Sequence, residues 1–242
     1  MNRKCGQCGK TAEREDMLFC PYCGAKLSSD GPAGAAGSGQ AEGDIPAEAR
    51  KWLEKAAREQ VVPKRKAILL KAREKYPDCF PIEWELLFTG EDKKSGQRPG
   101  SYDFSVIKCY LLKMYQKPDL FSEERKEADR MELFGGPQLV RCLSMSGDPA
   151  GKTDEYLYRL CRDYIEIFLE EDRELTGGLL GFRREKNHEK LIAGQAAVMV
   201  RNMRRDPGLT AEQRGLLEKA FLRAYSDRFG GKTENLDAKL GT

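Results

Sequence analysis

The chain has 242 residues, 33% of them charged and 40% hydrophobic, and its 42 lysines and arginines against 39 aspartates and glutamates leave a net charge of +3. This composition excludes a collagen-like or wholly disordered chain. A net charge that small cannot by itself create a field that attracts phosphate backbones or acidic membranes.

No run approaches the roughly 18 to 20 apolar residues that span a bilayer, and Met1 to Cys8 lacks the apolar stretch of a secretory signal. The expected compartment is therefore the cytoplasm, with no membrane partner. Thiols stay reduced there, so the eight cysteines are candidates for metal ligands or buried thiols rather than disulfides.

Composition divides the chain into three expected parts. Residues 1–27 hold four of the cysteines, residues 28–45 are almost all small or acidic, and residues 46–242 hold nearly all the large apolar side chains. The segment charges are +2, −3 and +4, so no part is a polybasic tail.

In the first part, Cys5-Gly6-Gln7-Cys8 and Cys20-Pro21-Tyr22-Cys23 form two CxxC pairs, each followed by a glycine, Gly9 and Gly24. Two residues between thiolates allow a tight turn to aim both sulfurs at one ion, and the following glycine readily takes the backbone conformation that turns amides toward them. Two such turns at the ends of a short hairpin complete a tetrahedral shell. Four thiolates leave no open position, so the expected group is one structural zinc on Cys5, Cys8, Cys20 and Cys23. A segment this small depends on its metal to fold. Iron in a rubredoxin-like shell is the alternative, although the larger aromatic core around such sites is absent here.

The pattern CGQCGK through LFCPYCGAKL, within residues 4–27, resembles the zinc-ribbon family found at the start of many bacterial proteins. The resemblance implies a β-hairpin knuckle on the same four cysteines. Many such proteins continue through a flexible linker into a membrane helix. This one continues into a helical body instead, which removes the reason to infer an anchored role.

Residues 28–45, SSDGPAGAAGSGQAEGDI, cannot bury enough apolar surface to offset the entropy of ordering and read as a flexible linker.

The body reads as mainly α. Helices are expected around Ala47 to Gln60, Lys64 to Tyr76, Ile82 to Phe88, Ser122 to Phe134 and Gln138 to Met145. Apolar stripes at helical spacing mark four more. These are Phe104, Ile107, Leu111, Met114 and Tyr115; Leu157, Leu160, Cys161, Tyr164, Ile165 and Phe168, with Thr153 as cap; Leu191, Ile192, Gln195, Val198, Met199 and Met203; and Leu216, Leu217, Ala220, Phe221 and Ala224. The last opens on Thr210-Ala211-Glu212-Gln213, a capping-box pattern.

Lys64 to Pro77, with Leu69, Ala72 and Pro77, resembles the second helix of a tetratricopeptide repeat. The preceding helix lacks the family's aromatic, leucine and glycine, and no period of 34 residues runs along the body. The expected architecture is thus an all-α bundle or a degenerate helical repeat behind a zinc-ribbon hairpin.

Other motifs dissolve on inspection. Cys20-Pro21-Tyr22-Cys23 matches the glutaredoxin redox motif but lacks the α/β domain that chemistry needs. Gly147 to Thr153 resembles a P-loop with one residue too few and reads as a turn before a helix. Asp163, Glu166, Glu170 and Glu174 share a helix face without a partnering histidine, and read as a solvated acidic face. His188 opens a predicted helix beside polar neighbours, and Cys79, Cys109, Cys142 and Cys161, scattered singly, read as buried hydrophobes.

No catalytic constellation remains, so the expected function is non-enzymatic: a zinc-binding protein that recognises another protein through its ribbon and helical body. The alternative is a nucleic-acid-associated regulator using basic clusters at Arg201, Arg204 and Arg205, at Lys64, Arg65 and Lys66, and at Arg183, Arg184 and Lys186.

Overall fold

A computed structural model of the chain describes residues 3–4, 11–12, 45–89, 106–175 and 188–241. Strands β1, Arg3–Lys4, and β2, Thr11–Ala12, pair antiparallel with Arg3 opposite Ala12. All four expected zinc ligands, Cys5, Cys8, Cys20 and Cys23, lie outside the described residues, as do the linker up to residue 44 and Arg183, Arg184 and Lys186.

The rest of the described chain is helical. In order come α1, Ala47–Arg58; α2, Val62–Lys75; α3, Phe80–Phe88; α4, Val106–Cys109; and α5, Lys113–Gln116. They are followed by α6, Glu123–Gly135; α7, Pro137–Met145; α8, Pro149–Leu175; α9, His188–Arg205; α10, Ala211–Arg228; and α11, Glu234–Leu240. They divide between two compact units, one within Met1–Ser105 and Gly135–Thr153, the other within Val106–Phe134 and Asp154–Thr242.

In the first unit α1 and α2 pack side by side, α2 packs on α3, and α3 on α7. Ala49, Ala56, Leu69, Ala72, Cys79, Ile82 and Leu86 form its buried cluster, with Trp52 and Ile68 half-buried against it. The alanines at the α1 contact positions let the helices approach closely. Both ends of the α1–α2 hairpin are tied. At the turn, Arg65 donates from Nε and Nη2 to the carbonyl of Glu59, at 3.0 and 2.7 Å. At the open end the Tyr76 hydroxyl donates to Glu48 at 2.8 Å, so the two helices run antiparallel.

In the second unit α9 packs against α5, α10 and α11. The α8 stripe of Leu157, Leu160, Cys161, Tyr164, Ile165 and Phe168 is buried as its spacing predicts, and Tyr156, Ile167 and Leu169 join it. The α10 capping box forms as expected. Thr210 Oγ1 accepts from the Gln213 amide at 3.1 Å, and Gln213 Oε1 accepts from the Thr210 amide at 2.9 Å.

Four local expectations are corrected. The helix expected across Leu111 is interrupted by a 3-10 turn at Tyr110–Leu112, which shifts the phase so that Leu111, Leu112, Met114 and Tyr115 all enter the core. On α9 the buried face is Ile192, Ala193, Ala196, Ala197, Met199, Val200 and Met203, while Val198 is 38% exposed. Close packing against three neighbours favours the alanine face over the bulkier one. The helix expected from Thr153 begins at Pro149, because Asp148 caps it: its Oδ1 accepts from the Gly151 amide at 2.9 Å. Helix α11 was not foreseen. Its anchor is one fully buried leucine, Leu236, too little for a periodic signal.

Candidate functional site

The connection between β1 and β2, residues 5–10, holds the first cysteine pair, Cys5 and Cys8. Among the described residues no group of three or more His, Cys, Asp or Glu side chains is placed to hold a metal. The other four cysteines, Cys79, Cys109, Cys142 and Cys161, are buried free thiols. Burial pushes Cys79, Cys109 and Cys161 above the usual thiol range, so they are poor nucleophiles and poor ligands at neutral pH.

The P-loop-like segment is a helix start. The Asp148 amide donates to Ser146 Oγ at 3.0 Å, and Thr153 Oγ1 donates to the Pro149 carbonyl at 2.8 Å. A Cβ on Gly151 would meet Asp148 Oδ2 at 2.1 Å, so a side chain there would make the capping carboxylate shift. The acidic face of α8 is not simply solvated. Asp163 is buried and paired with Arg162 at 3.0 Å, and Glu166 pairs with Arg228.

The described buried carboxylates each have a cation of their own unit: Glu83 has Arg141 at 3.4 Å, Asp129 has Arg125 at 2.9 Å, Asp163 has Arg162, and Asp206 has Arg130 at 2.9 Å. Asp206 is the most heavily engaged. Its Oδ2 also accepts the Tyr115 hydroxyl at 2.7 Å and its Oδ1 the Gly208 amide at 2.9 Å. Burial alone would raise its pKa, but the Arg130, Tyr115 and Gly208 donors outweigh that and hold it below the usual carboxylate range. This node fixes the turn between α9 and α10.

Two basic clusters singled out in the sequence are partly consumed by the fold. Arg204 forms a two-bond fork with Glu218 at 2.7 and 3.0 Å, and Arg201 donates to the Lys239 carbonyl at 3.0 Å. Arg65 is the buried hairpin tie rather than a surface cation.

A wider basic surface, of which Lys64 is part, emerges on the α1–α2 hairpin. Residues 47–76 carry ten lysines and arginines against four glutamates, a net +6. Lys64, Lys71 and Lys75 fall at i, i+7 and i+11, one face of α2, with Ile68 between them. Lys51 and Lys55 fall at i and i+4 on α1, beside Trp52. Lys75 Nζ lies 5.3 Å and Lys55 Nζ 5.6 Å from the Trp52 ring centroid, so the two rows border one surface. All five lysines are exposed, and none forms an ion pair with a described residue. Glu48, at the edge of this face, is engaged by Tyr76.

From the sequence only Lys64, Arg65 and Lys66 stand out on this hairpin, and the charge of the whole body, +4, hides the rest. A charge count over one helical pair reveals it. No family model matches the chain, and no curated protein and no solved structure matches it. No helix among the described residues is long and apolar enough to cross a membrane.

Proposed function

We propose that the protein is a non-enzymatic adaptor that recognises another protein, with one structural zinc on Cys5, Cys8, Cys20 and Cys23 stabilising a docking module ahead of the helical units. The observation that carries the zinc is the donor set: two CxxC pairs, each followed by glycine, eleven residues apart. Pairing of β1 with β2 on either side of Cys5 and Cys8 accords with a ribbon hairpin. A bound zinc would supply folding energy rather than chemistry, because four thiolates leave no coordination position for a substrate.

Support for an adaptor over an enzyme comes from the titratable groups. Among the described residues the buried carboxylates are each paired with a cation, and the three thiols whose ionisation is shifted are moved away from the reactive range. The nucleic-acid alternative loses ground because Arg201, Arg204 and Arg65 are engaged within the fold.

Metal analysis with a thiol count tests the first half. One zinc per chain is expected. Retention of full zinc by a Cys20→Ser, Cys23→Ser double variant would refute the ligand set. Affinity capture tests the second: a specific protein should be recovered in a nuclease-resistant manner and weakened when residues 1–27 are deleted. Recovery of nucleic acid instead, lost in an Arg201, Arg204 and Arg205 to Ala variant, would establish the alternative. Turnover of a small molecule would defeat both.

A further inference from the structure

From the α1–α2 hairpin we infer that its lysine-bordered face is a docking surface for an acidic, amphipathic helix of the partner protein. The inference rests on the protein-binding reading and names the chemistry of the partner segment.

Three features of the surface point to that occupant. First, the lysines follow helical repeats. The row Lys64, Lys71 and Lys75 extends about 16 Å at 1.5 Å per residue, the length of about three turns of a helix laid alongside. Carboxylates at i, i+7 and i+11 on such a helix, with an apolar residue at i+4 opposite Ile68, would match this row, with Lys51 and Lys55 across from it.

Second, the face includes apolar surface as well as charge. Trp52 and Ile68, both half-buried on the same cluster, each belong to it, and Val61 at the hairpin turn is 39% exposed. An amphipathic helix uses both elements, burying apolar side chains beside ion pairs. Tryptophan in such a setting is a frequent centre of binding energy. A phosphate backbone would use only the charge.

Third, the Trp52 ring is already attended by Lys55 and Lys75 at 5.6 and 5.3 Å. Five exposed lysines without an ion-pair partner among the described residues form a concentration of positive charge that an acidic segment neutralises. Exposed pairs are individually weak and salt-sensitive, so the apolar contact and the several pairs act together.

The test uses the full chain and a fluorescein-labelled helical peptide of about 16 residues, with leucines on one stripe and glutamates flanking it. A twin with glutamine in place of glutamate is the control. Saturable binding by fluorescence anisotropy is expected for the glutamate peptide, at least tenfold tighter than for the glutamine twin and weakening severalfold from 50 to 500 mM salt. A Lys55→Glu, Lys71→Glu, Lys75→Glu variant should lose at least tenfold. These side chains are exposed and glutamate is a good helix former, so circular dichroism should be unchanged. A second variant, Lys51→Glu, Lys64→Glu, Lys71→Glu, spares both cations on Trp52 and should show a comparable loss.

Equal binding of the two peptides, no binding of either, or unaltered binding by both variants overturns the site. Tighter binding of an oligo(dT) of about 20 nucleotides, with a log–log salt slope near −3.5 for five phosphate contacts, overturns it in favour of a polyanion surface. The protein-binding reading fails separately: it falls when no protein is recovered by capture, whereas a partner still captured by the charge-reversed variants removes only this surface.

Discussion

Replacing Asp206 by alanine removes the acceptor for three donors at once, and the structure sets the scale of the loss. Arg130, whose side chain is only 14% exposed, would keep its charge with no carboxylate at 2.9 Å, and the buried Tyr115 hydroxyl would lose its 2.7 Å partner. Breaking a largely buried pair by deleting one member costs about 3–5 kcal/mol, since the remaining charge stays desolvated. The partial exposure of Arg130 and its second, 3.9 Å ion pair with Glu123 offset some of this, which places the expectation at about 3 kcal/mol. With a urea slope of roughly 1.5–2 kcal/mol/M, the midpoint should fall by about 1.5–2 M. Asp206→Asn should lose less, because an amide oxygen still accepts one bond, and Tyr115→Phe about 1 kcal/mol.

The pH dependence adds a second signature. The folded pKa of Asp206 is depressed, so its contribution is fully present above the ordinary carboxylate pKa of about 4 and fades as pH falls through the lower folded value. The acid limb of the stability profile should therefore be shallower in Asp206→Asn. An Asp206→Ala midpoint within about 0.3 M of the parent, under 1 kcal/mol at the same slope, would refute this account of the node.

Gly208→Ala should destabilise by about 1–3 kcal/mol, because a Cβ there would lie 2.6 Å from Arg130 Nε and displace the guanidinium from Asp206; in an Arg130→Ala background the urea midpoint should hardly move. Burial outweighs Arg125 in raising the folded pKa of Asp129, so its ionisation opposes folding as pH rises past about 4. Asp129→Asn should match or exceed parental stability at pH 7 and lose that advantage toward pH 4, as read from thermal melts at the two values. Dithionitrobenzoate should find four thiols after mild chelation, Cys5, Cys8, Cys20 and Cys23, and four more only in denaturant; rapid labelling of Cys109 or Cys161 in the folded protein would contradict their burial.

The helical content was legible because the strongest stripes are long and uniform. Each residue of the Leu157-to-Phe168 stripe is an aliphatic, aromatic or thiol side chain at the correct spacing, and each is buried. The Thr210–Gln213 box was legible for a similar reason: its two hydrogen bonds are local and need no tertiary partner. Face assignment failed on α9, where periodicity favoured Val198 and the packed side is built from Ala193, Ala196 and Ala197. Hydrophobicity ranks valine above alanine, but a helix pressed against three neighbours selects for small volume. The helix start at Pro149 was missed for want of a hydrophobic signal, since its cap is made by a single aspartate, Asp148.

Charge was harder to read than apolar pattern, and for a physical reason. A lysine's role depends on what the fold places within a few ångströms of it, as the basic residues that opened α2 illustrate. Arg65 and Lys64 are adjacent in sequence, yet one is buried on the Glu59 carbonyl and the other stands exposed in the row with Lys71 and Lys75. Arg204 likewise reads as a surface cation until Glu218, fourteen residues away, closes on it. The cations available to a partner are those left after such internal pairings, and on the α1–α2 hairpin they include Lys51, Lys55, Lys64, Lys71 and Lys75. A net charge of +3 over the chain is compatible with that local concentration because acidic residues elsewhere in the sequence offset it in the total. Screening over about 8–10 Å at physiological salt makes the local arrangement, and not the total, what an approaching segment meets.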